Sequence, residues 1–158
     1  MNIFEISKKI LIKIVNADIP FAIALKSTFK DLDCDTNFKS NVTALVGCEL
    51  RHHIIFNNVC ERFLPNIEFE KTIYARFYAA NKLFLKRFLE KDIISLIKKD
   101  LDEETFEKFK NYLDNNKDII PGDLDFNSPE FLSYRFNTPV WVIKMWQKQL
   151  GSKGLVYR

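Results

Sequence analysis

Glycine is scarce in this sequence, and its scarcity narrows the choice of fold. Only 4 of the 158 residues are glycine and 5 are proline. A nucleotide-binding α/β fold needs glycines in its phosphate loops and tight turns, and a β-sandwich or barrel needs them at its many turns. The sequence also lacks the motifs GxGxxG, GxSxG and HExxH and the P-loop motif. The composition therefore favours long helices joined by few turns, with no self-sufficient active site.

Histidine, cysteine and long apolar runs are also rare. The 2 histidines, His52 and His53, are adjacent, so on a helix they point about 100° apart and cannot ligate one metal ion together. The 3 cysteines are odd in number and include no CxxC pair, which predicts reduced thiols in a cytoplasmic protein. No apolar run reaches the roughly 18 residues of a membrane span and no signal peptide is evident, so we expect no membrane partner.

Apolar residues, in contrast, are abundant. They make up 47% of the chain, charged residues make up 28%, and 15 residues are phenylalanine. A chain of this length and composition is typical of one ordinary folded domain and not of a disordered segment. We expect aromatic rings to supply much of the core volume.

Apolar residues recur at helical spacing along most of the chain. The pattern predicts helices at 4–15, 21–29, 37–63, 67–87, 92–99, 102–115, 128–134 and 139–150. We expect Gly47 to bend or divide the third of these helices and Gly151 to end the last one. Because no hairpin signal or internal repeat is present, the sequence predicts an all-α bundle of seven to eight helices.

The charge is unevenly distributed, although the net charge is only +3. Residues 1–88 carry 13 basic and 9 acidic groups, whereas residues 89–130 carry 6 basic and 12 acidic groups. Residues 131–158 are positive again. The acidic middle of the chain would repel a polyanion, and its two ends could approach one. The acidic run at 100–107 lacks the spacing of a calcium loop and is typical of the first turns of a helix.

Two local clusters have chemistry that could serve binding. Arg51, His52 and His53 form either a solvated face or a contact for a polyanion. Trp141 and Trp146 lie among basic residues, so they either stack on unpaired bases or pack in a core or between domains.

A third group consists of basic residues that fall on the predicted helices. Its members are Lys8, Lys9, Lys13, Arg76, Lys82, Lys86 and Arg87. If two helices place these residues side by side, they form a strip that binds phosphates. If the helices do not, the residues form a solvated face.

The order of three motifs resembles a known family. The stretch Asn41–Arg51, NVTALVGCELR, resembles the "LV-G-LR" helix of NusB-like domains, and Ile73–Phe84 resembles the "LRLGAYQLLF" helix that follows it. The stretch Tyr134–Trp146, YRFNTPVWVIKMW, continues to Gly151. It resembles the "YSHPxWLVxxW…YG" segment that follows the NusB-like domain in RsmB/Sun-type ribosomal RNA cytosine-C5 methyltransferases. This closing segment is the most specific of the three.

The resemblance implies a division of the chain into two parts. Residues 1–127 are expected to form a NusB-like helical RNA-binding domain, and residues 128–158 a helical linker that leads toward a catalytic domain absent from this sequence. The resemblance further implies that ribosomal RNA and this catalytic domain are the partners. The expected RNA-binding residues are Lys8, Lys9, Lys13, Arg51, Arg76, Lys82, Lys144 and Lys148.

In the family, the catalytic domain binds S-adenosylmethionine and attacks cytosine with a cysteine of a Pro-Cys pair. The three cysteines here follow Asp33, Gly47 and Val59, and no glycine-rich cofactor loop is present. We therefore expect no catalytic residue, metal ligand or cofactor in this chain, and no methyltransferase activity from the chain alone. Two alternatives stay open, a free-standing NusB-type transcription antitermination factor and a helical protein–protein adaptor.

Overall fold

The structure is a computed structural model, and it describes residues 2–115 and 128–156. The described residues form nine α-helices and one π-helical segment. The helices are α1 (Ile3–Ala17), α2 (Phe21–Lys30), α3 (Thr36–Arg51), α4 (His53–Phe63), α5 (Phe69–Ala80), α6 (Glu90–Asp100), α7 (Glu103–Asn115), α8 (Pro129–Phe136) and α9 (Val140–Val156). The π-helical segment, Asn81–Leu85, continues directly from α5. The prediction of an all-α bundle is confirmed.

The long helix predicted at 37–63 is divided, but not where glycine was expected to divide it. Gly47 lies inside α3, where a β-carbon would stand 3.5 Å from the ring of Phe21. The break comes instead at His52, whose φ of −118° and ψ of 22° leave the helical region. The prediction of a bend at Gly47 is therefore wrong, because the helix continues past it and Gly47 packs beside an aromatic ring.

The core is organised around α5. Every residue from Thr72 to Ala80 is buried, and α5 contacts α1, α3, α4 and α6. Because α5 is surrounded on several sides, it carries apolar residues around most of its circumference, which explains why this stretch shows little amphipathic pattern. The largest side chains with almost no exposure are Tyr78, Phe56, Phe77, Phe109, Ile10, Leu11, Leu45, Ile73, Ile93, Ile97 and Ile143.

The helix predicted at 67–87 changes character at Asn81. The Lys86 amide donates to the Asn81 carbonyl at 2.6 Å, which closes a π-type turn. The buried Asn81 side chain then accepts hydrogen bonds from the amides of Arg87 and Phe88, both at 2.9 Å, and donates to the Phe88 carbonyl. Asn81 thus satisfies backbone groups of the loop that connects the π-helical segment to α6, and it fixes the turn into α6.

The observed helix ends agree only in part with those predicted from the sequence. The Asp102 carboxylate caps α7 by accepting a hydrogen bond from the Thr105 amide at 2.7 Å. Hydrogen bonding to the Thr105 side chain, followed by this backbone bond, lowers the pKa of Asp102. The helix α9 continues to Val156, so the prediction that Gly151 ends it is wrong. The dipeptide Pro121-Gly122, which in the sequence is a loop signal, lies outside the described residues. None of the helices in the described part of the chain has the length and hydropathy needed to cross a bilayer.

Candidate nucleic-acid interface

One face of α9 presents an exposed aromatic ring followed by two lysines. Trp141 is 69% exposed, Met145 is 42% exposed, and Lys144 and Lys148 are also exposed. Positions 141, 144, 145 and 148 follow the i, i+3, i+4, i+7 spacing of a single helix face. We call these four residues the α9 face. The alternative that Trp141 packs inside a core is wrong, and the side chain of Trp146 lies outside the described set.

The opposite side of α9 anchors this face to α8. Ile143 is completely buried and packs with Leu132 and the partly buried Phe136 in a small core of their own. Because Ile143 lies two residues after Trp141, the two side chains point about 200° apart on the helix. Burial of Ile143 therefore turns Trp141 outward.

Asn137 joins the α8–α9 pair to the rest of the bundle. Its side-chain amide donates to the Leu50 carbonyl at 2.7 Å, and its Oδ1 accepts from the Ile54 amide at 2.9 Å. In a continuous helix the Ile54 amide would donate to the Leu50 carbonyl. The break at His52 leaves these two groups apart, and the Asn137 side chain supplies a partner for each. Asn137 has a φ of 49°, a left-handed conformation that asparagine tolerates better than most residues.

A groove of about 520 Å³ lies next to this junction. We call it the α2–α3 groove, and its lining includes Phe21, Gly47, Leu50, Arg51 and Asn137. Arg51 is the exposed last residue of α3. Within the described parts of the chain, no acidic side chain lines the groove. The groove therefore combines an apolar floor with a cation at its margin.

The three predicted lysines of α1 do not form one surface. Lys8 is partly buried, with Nζ 3.6 Å from Asp100 Oδ2 and 4.7 Å from the centre of the Tyr74 ring. Lys13 donates a hydrogen bond to the Thr28 hydroxyl at 3.1 Å. Lys9 is exposed. Of the three, Lys9 keeps the most accessible ammonium group, and Lys8 is already paired with a carboxylate.

Arg76 does not fit the prediction that it contacts RNA. Its side chain is only 5% exposed and its Nη1 lies 3.2 Å from Oε1 of Glu49, which is fully buried. Its Nε donates to the Thr72 hydroxyl at 3.0 Å, and its guanidinium lies over the Phe69 ring at 4.8 Å. The prediction is wrong because this guanidinium is committed to an internal ion pair, out of reach of a polyanion.

Lys82 is also committed to partners within the protein. Its Nζ lies 2.6 Å from Asp114 Oδ1 and 3.3 Å from Glu90 Oε1. The hydrogen bond to Asp114, followed by the contacts with Glu90, raises the pKa of Lys82 above its usual value. Lys82 thus ties the π-helical segment to α6 and α7, and two carboxylates would oppose the approach of a phosphate to it.

Each histidine has its own partner inside the protein. His52 Nδ1 donates to the Cys48 carbonyl at 3.0 Å, and its ring stacks on Phe84 with centroids 3.9 Å apart. His53 Nδ1 donates to Oε1 of Glu49 at 2.6 Å. The two rings therefore serve different contacts, and Arg51 is the most exposed member of the cluster predicted at 51–53.

The buried thiols lack the character of a nucleophile. Burial raises the pKa of the Cys48 thiol to about 11, and burial also raises the pKa of the Cys60 thiol. A raised pKa keeps a thiol protonated at neutral pH, whereas the nucleophilic form is the thiolate. All three cysteines are free. In the described residues, no group of three or more His, Cys, Asp or Glu side chains is arranged to hold a metal ion.

Comparison with known proteins found no relative. No protein-family model, no curated protein and no solved structure matches this chain. The functional assignment of the α9 face therefore rests on its own chemistry. That chemistry is an exposed indole with two exposed lysines on the same helix face, close in sequence to the junction that Asn137 makes.

Proposed function

We propose that this chain is the RNA-binding accessory domain of an S-adenosylmethionine-dependent ribosomal RNA (cytosine-C5) methyltransferase. The observation that carries the RNA-binding part is the exposure of Trp141 on the same face of α9 as the exposed Lys144 and Lys148. Stacking on an aromatic ring and pairing of phosphates with cations are the two interactions that hold single-stranded nucleic acid on a protein surface. Both groups are present on this face.

Burial of an indole normally stabilises a protein, so its exposure needs a reason. A tryptophan that is 69% exposed gives up most of the free energy that burial would supply. The neighbouring Met145 is exposed as well, one helical turn after Trp141 on the same face. Such an apolar face is suited to the flat ring of a base, with Lys144 and Lys148 near its phosphates.

The methyltransferase part of the proposal rests on the motifs of the sequence, of which the stretch Tyr134–Trp146 is the most specific. In this proposal S-adenosylmethionine and the attacking cysteine belong to a partner catalytic domain, and the protein acts in the cytoplasm. The raised pKa values of Cys48 and Cys60 support placing the attacking cysteine in a partner domain, because neither thiol is suited to attack cytosine. Incubation of the chain alone with S-adenosylmethionine and ribosomal RNA should give no methyl transfer, and robust transfer would contradict this assignment.

RNA binding is tested by fluorescence anisotropy with a labelled ribosomal RNA hairpin that has an unpaired loop. Trp141→Ala should weaken binding about 5- to 150-fold, since stacking of one base is worth roughly 1–3 kcal/mol. The double variant Lys144→Gln/Lys148→Gln should reduce the slope of log affinity against log salt by about 1.4, the value for two single-strand phosphate contacts.

A matched control is available on a different helix, α6. Lys98 and Lys99 are exposed on α6, so Lys98→Gln/Lys99→Gln makes the same change in net charge away from the α9 face. The control should bind RNA as the unaltered protein does. Equal losses in both double variants would mean that net charge alone drives binding. Binding of a protein partner that does not weaken with salt, with no RNA affinity, would favour the helical adaptor.

A further inference from the structure

We propose that the α2–α3 groove receives one unpaired nucleotide of the bound RNA, with the base in the apolar groove beside Phe21 and the phosphate at Arg51. This inference rests on the proposed function, and it adds a substrate class to it. A base that stays in a duplex is stacked and paired and cannot enter such a groove. The protein should therefore prefer RNA with an unpaired segment.

The size and shape of the groove suit this occupant. Its volume of about 520 Å³ falls within the range of roughly 300–1,000 Å³ that is usual for small-molecule sites. Gly47 keeps it open, because a β-carbon here would stand 3.5 and 3.6 Å from two atoms of the Phe21 ring. Glycine in the interior of a helix is unfavourable. The space that it leaves for the groove gives a reason for its presence inside α3.

The charge of the groove is complementary to a nucleotide. Arg51 is exposed and forms no ion pair with any described residue, unlike Lys8, Arg76 and Lys82. A planar guanidinium binds a phosphate through two parallel hydrogen bonds. Because no acidic side chain from the described residues lines the groove, a phosphate at Arg51 meets no opposing charge there.

The position of the groove relates it to the α9 face. Asn137 lines the groove and also fixes the α8–α9 pair to the break between α3 and α4. Trp141 follows Asn137 by four residues, and α9 begins at Val140. A strand of RNA whose base stacks on Trp141 therefore runs close to the chain segment that borders the groove.

Gly47→Ala is the sharpest test, because its effects on stability and on binding should have opposite signs. Alanine favours a helix over glycine, and the added methyl meets the Phe21 ring at an ordinary van der Waals distance. We expect the thermal midpoint to rise. We also expect affinity for an unpaired RNA to fall about tenfold, because the methyl occupies the groove. A variant that merely unfolds cannot give this combination.

Arg51→Gln tests the phosphate contact. It should weaken binding of adenosine monophosphate, measured by calorimetry, and lower the salt slope for unpaired RNA by about 0.7, the value of one phosphate contact. Adenosine without its phosphate should bind more weakly than adenosine monophosphate. Inorganic phosphate alone should bind more weakly too, since it offers no base to the groove. Lys98→Gln, which removes an exposed charge from α6, is the control.

The outcomes separate this inference from the proposed function. If Trp141→Ala weakens RNA binding while Gly47→Ala and Arg51→Gln do not, RNA binding stands and the groove is not its nucleotide site. If the protein binds no RNA, the proposed function fails, and the adenosine monophosphate titration still decides whether the groove takes a nucleotide. If duplex and unpaired RNA bind equally well, or inorganic phosphate binds as well as the nucleotide, the groove inference is overturned.

Discussion

Arg76→Ala should destabilise the protein strongly, because it leaves the carboxylate of Glu49 buried without its cation. Glu49 is fully buried, and Arg76 is only 5% exposed. Removing one partner of a buried ion pair costs about 3–5 kcal/mol. In a protein of this size, each kcal/mol shifts the thermal midpoint by about 2–4 °C, so the midpoint should fall by about 6–20 °C.

The double variant Glu49→Leu/Arg76→Met removes both charges and keeps an apolar volume in their place. Replacement of a buried pair by apolar residues is often close to neutral, so the double variant should recover most of the lost stability. Leu at position 49 also ends the hydrogen bond from His53, and we expect a cost of about 1 kcal/mol from that loss. The recovery distinguishes an ion-pair effect from the loss of the contact between Arg76 and the Phe69 ring.

The assay is urea unfolding followed by circular dichroism, with Lys9→Ala as the surface control. Lys9 is exposed on α1, so its substitution should change the free energy of unfolding by no more than about 0.5 kcal/mol. An Arg76→Ala variant as stable as the Lys9→Ala variant would refute the placement of this ion pair in the core. It would also restore Arg76 as a candidate for RNA contact.

Two further predictions concern the helix junction and the buried thiol. Asn137→Ala removes hydrogen bonds to Leu50 and Ile54, which should lower the free energy of unfolding by about 2 kcal/mol. Hydrogen exchange at the Ile54 amide should become faster. Unchanged exchange would mean that Asn137 does not hold the junction. Burial raises the pKa of Cys48 from 9.0 to about 11, so the folded state holds this proton more tightly than the unfolded chain does. The free energy of unfolding should therefore fall as the pH rises from about 9 to about 11, and urea titrations should show a smaller fall in Cys48→Ala; equal slopes would contradict the buried thiol.

Periodicity predicted the helices well because each helix buries one apolar stripe against the bundle. The helices α1, α2 and α7 begin and end within about two residues of their predicted bounds, which is the usual uncertainty of helix ends. The division of the predicted helix at 37–63 could not be located in this way. The break at His52 is stabilised by Asn137, a residue far away in sequence, and local pattern carries no information about such a partner.

The buried ion pair had a signal in the sequence that charge counting overlooks. Glu49 shares the apolar face of α3 with Val42, Leu45 and Val46, and Arg76 lies inside the apolar stretch of α5. A charged residue on an apolar face is buried only when it is paired, so the two residues could have been matched to each other. Their contact itself depends on how α3 packs on α5, which local pattern does not give.

The candidate site was predictable in part. The spacing of Trp141, Lys144 and Lys148 places them on one face of a helix, but spacing cannot tell whether that face is buried. The small core of Leu132, Phe136 and Ile143 decides this, because it takes the other side of α9. The groove at Gly47 needed the packing of α2 on α3 and had no local signal beyond a glycine inside a helix.

The most direct test of RNA binding by the α9 face is a nuclear magnetic resonance titration of the labelled chain with a short unpaired RNA. We expect the shifts to concentrate at the Trp141 indole N–H, at the amides of Lys144 and Lys148, and around Gly47 and Arg51. The acidic helix α7 should shift little, because it repels a polyanion. No shift at saturating RNA, or shifts confined to α7, would contradict RNA binding by the α9 face.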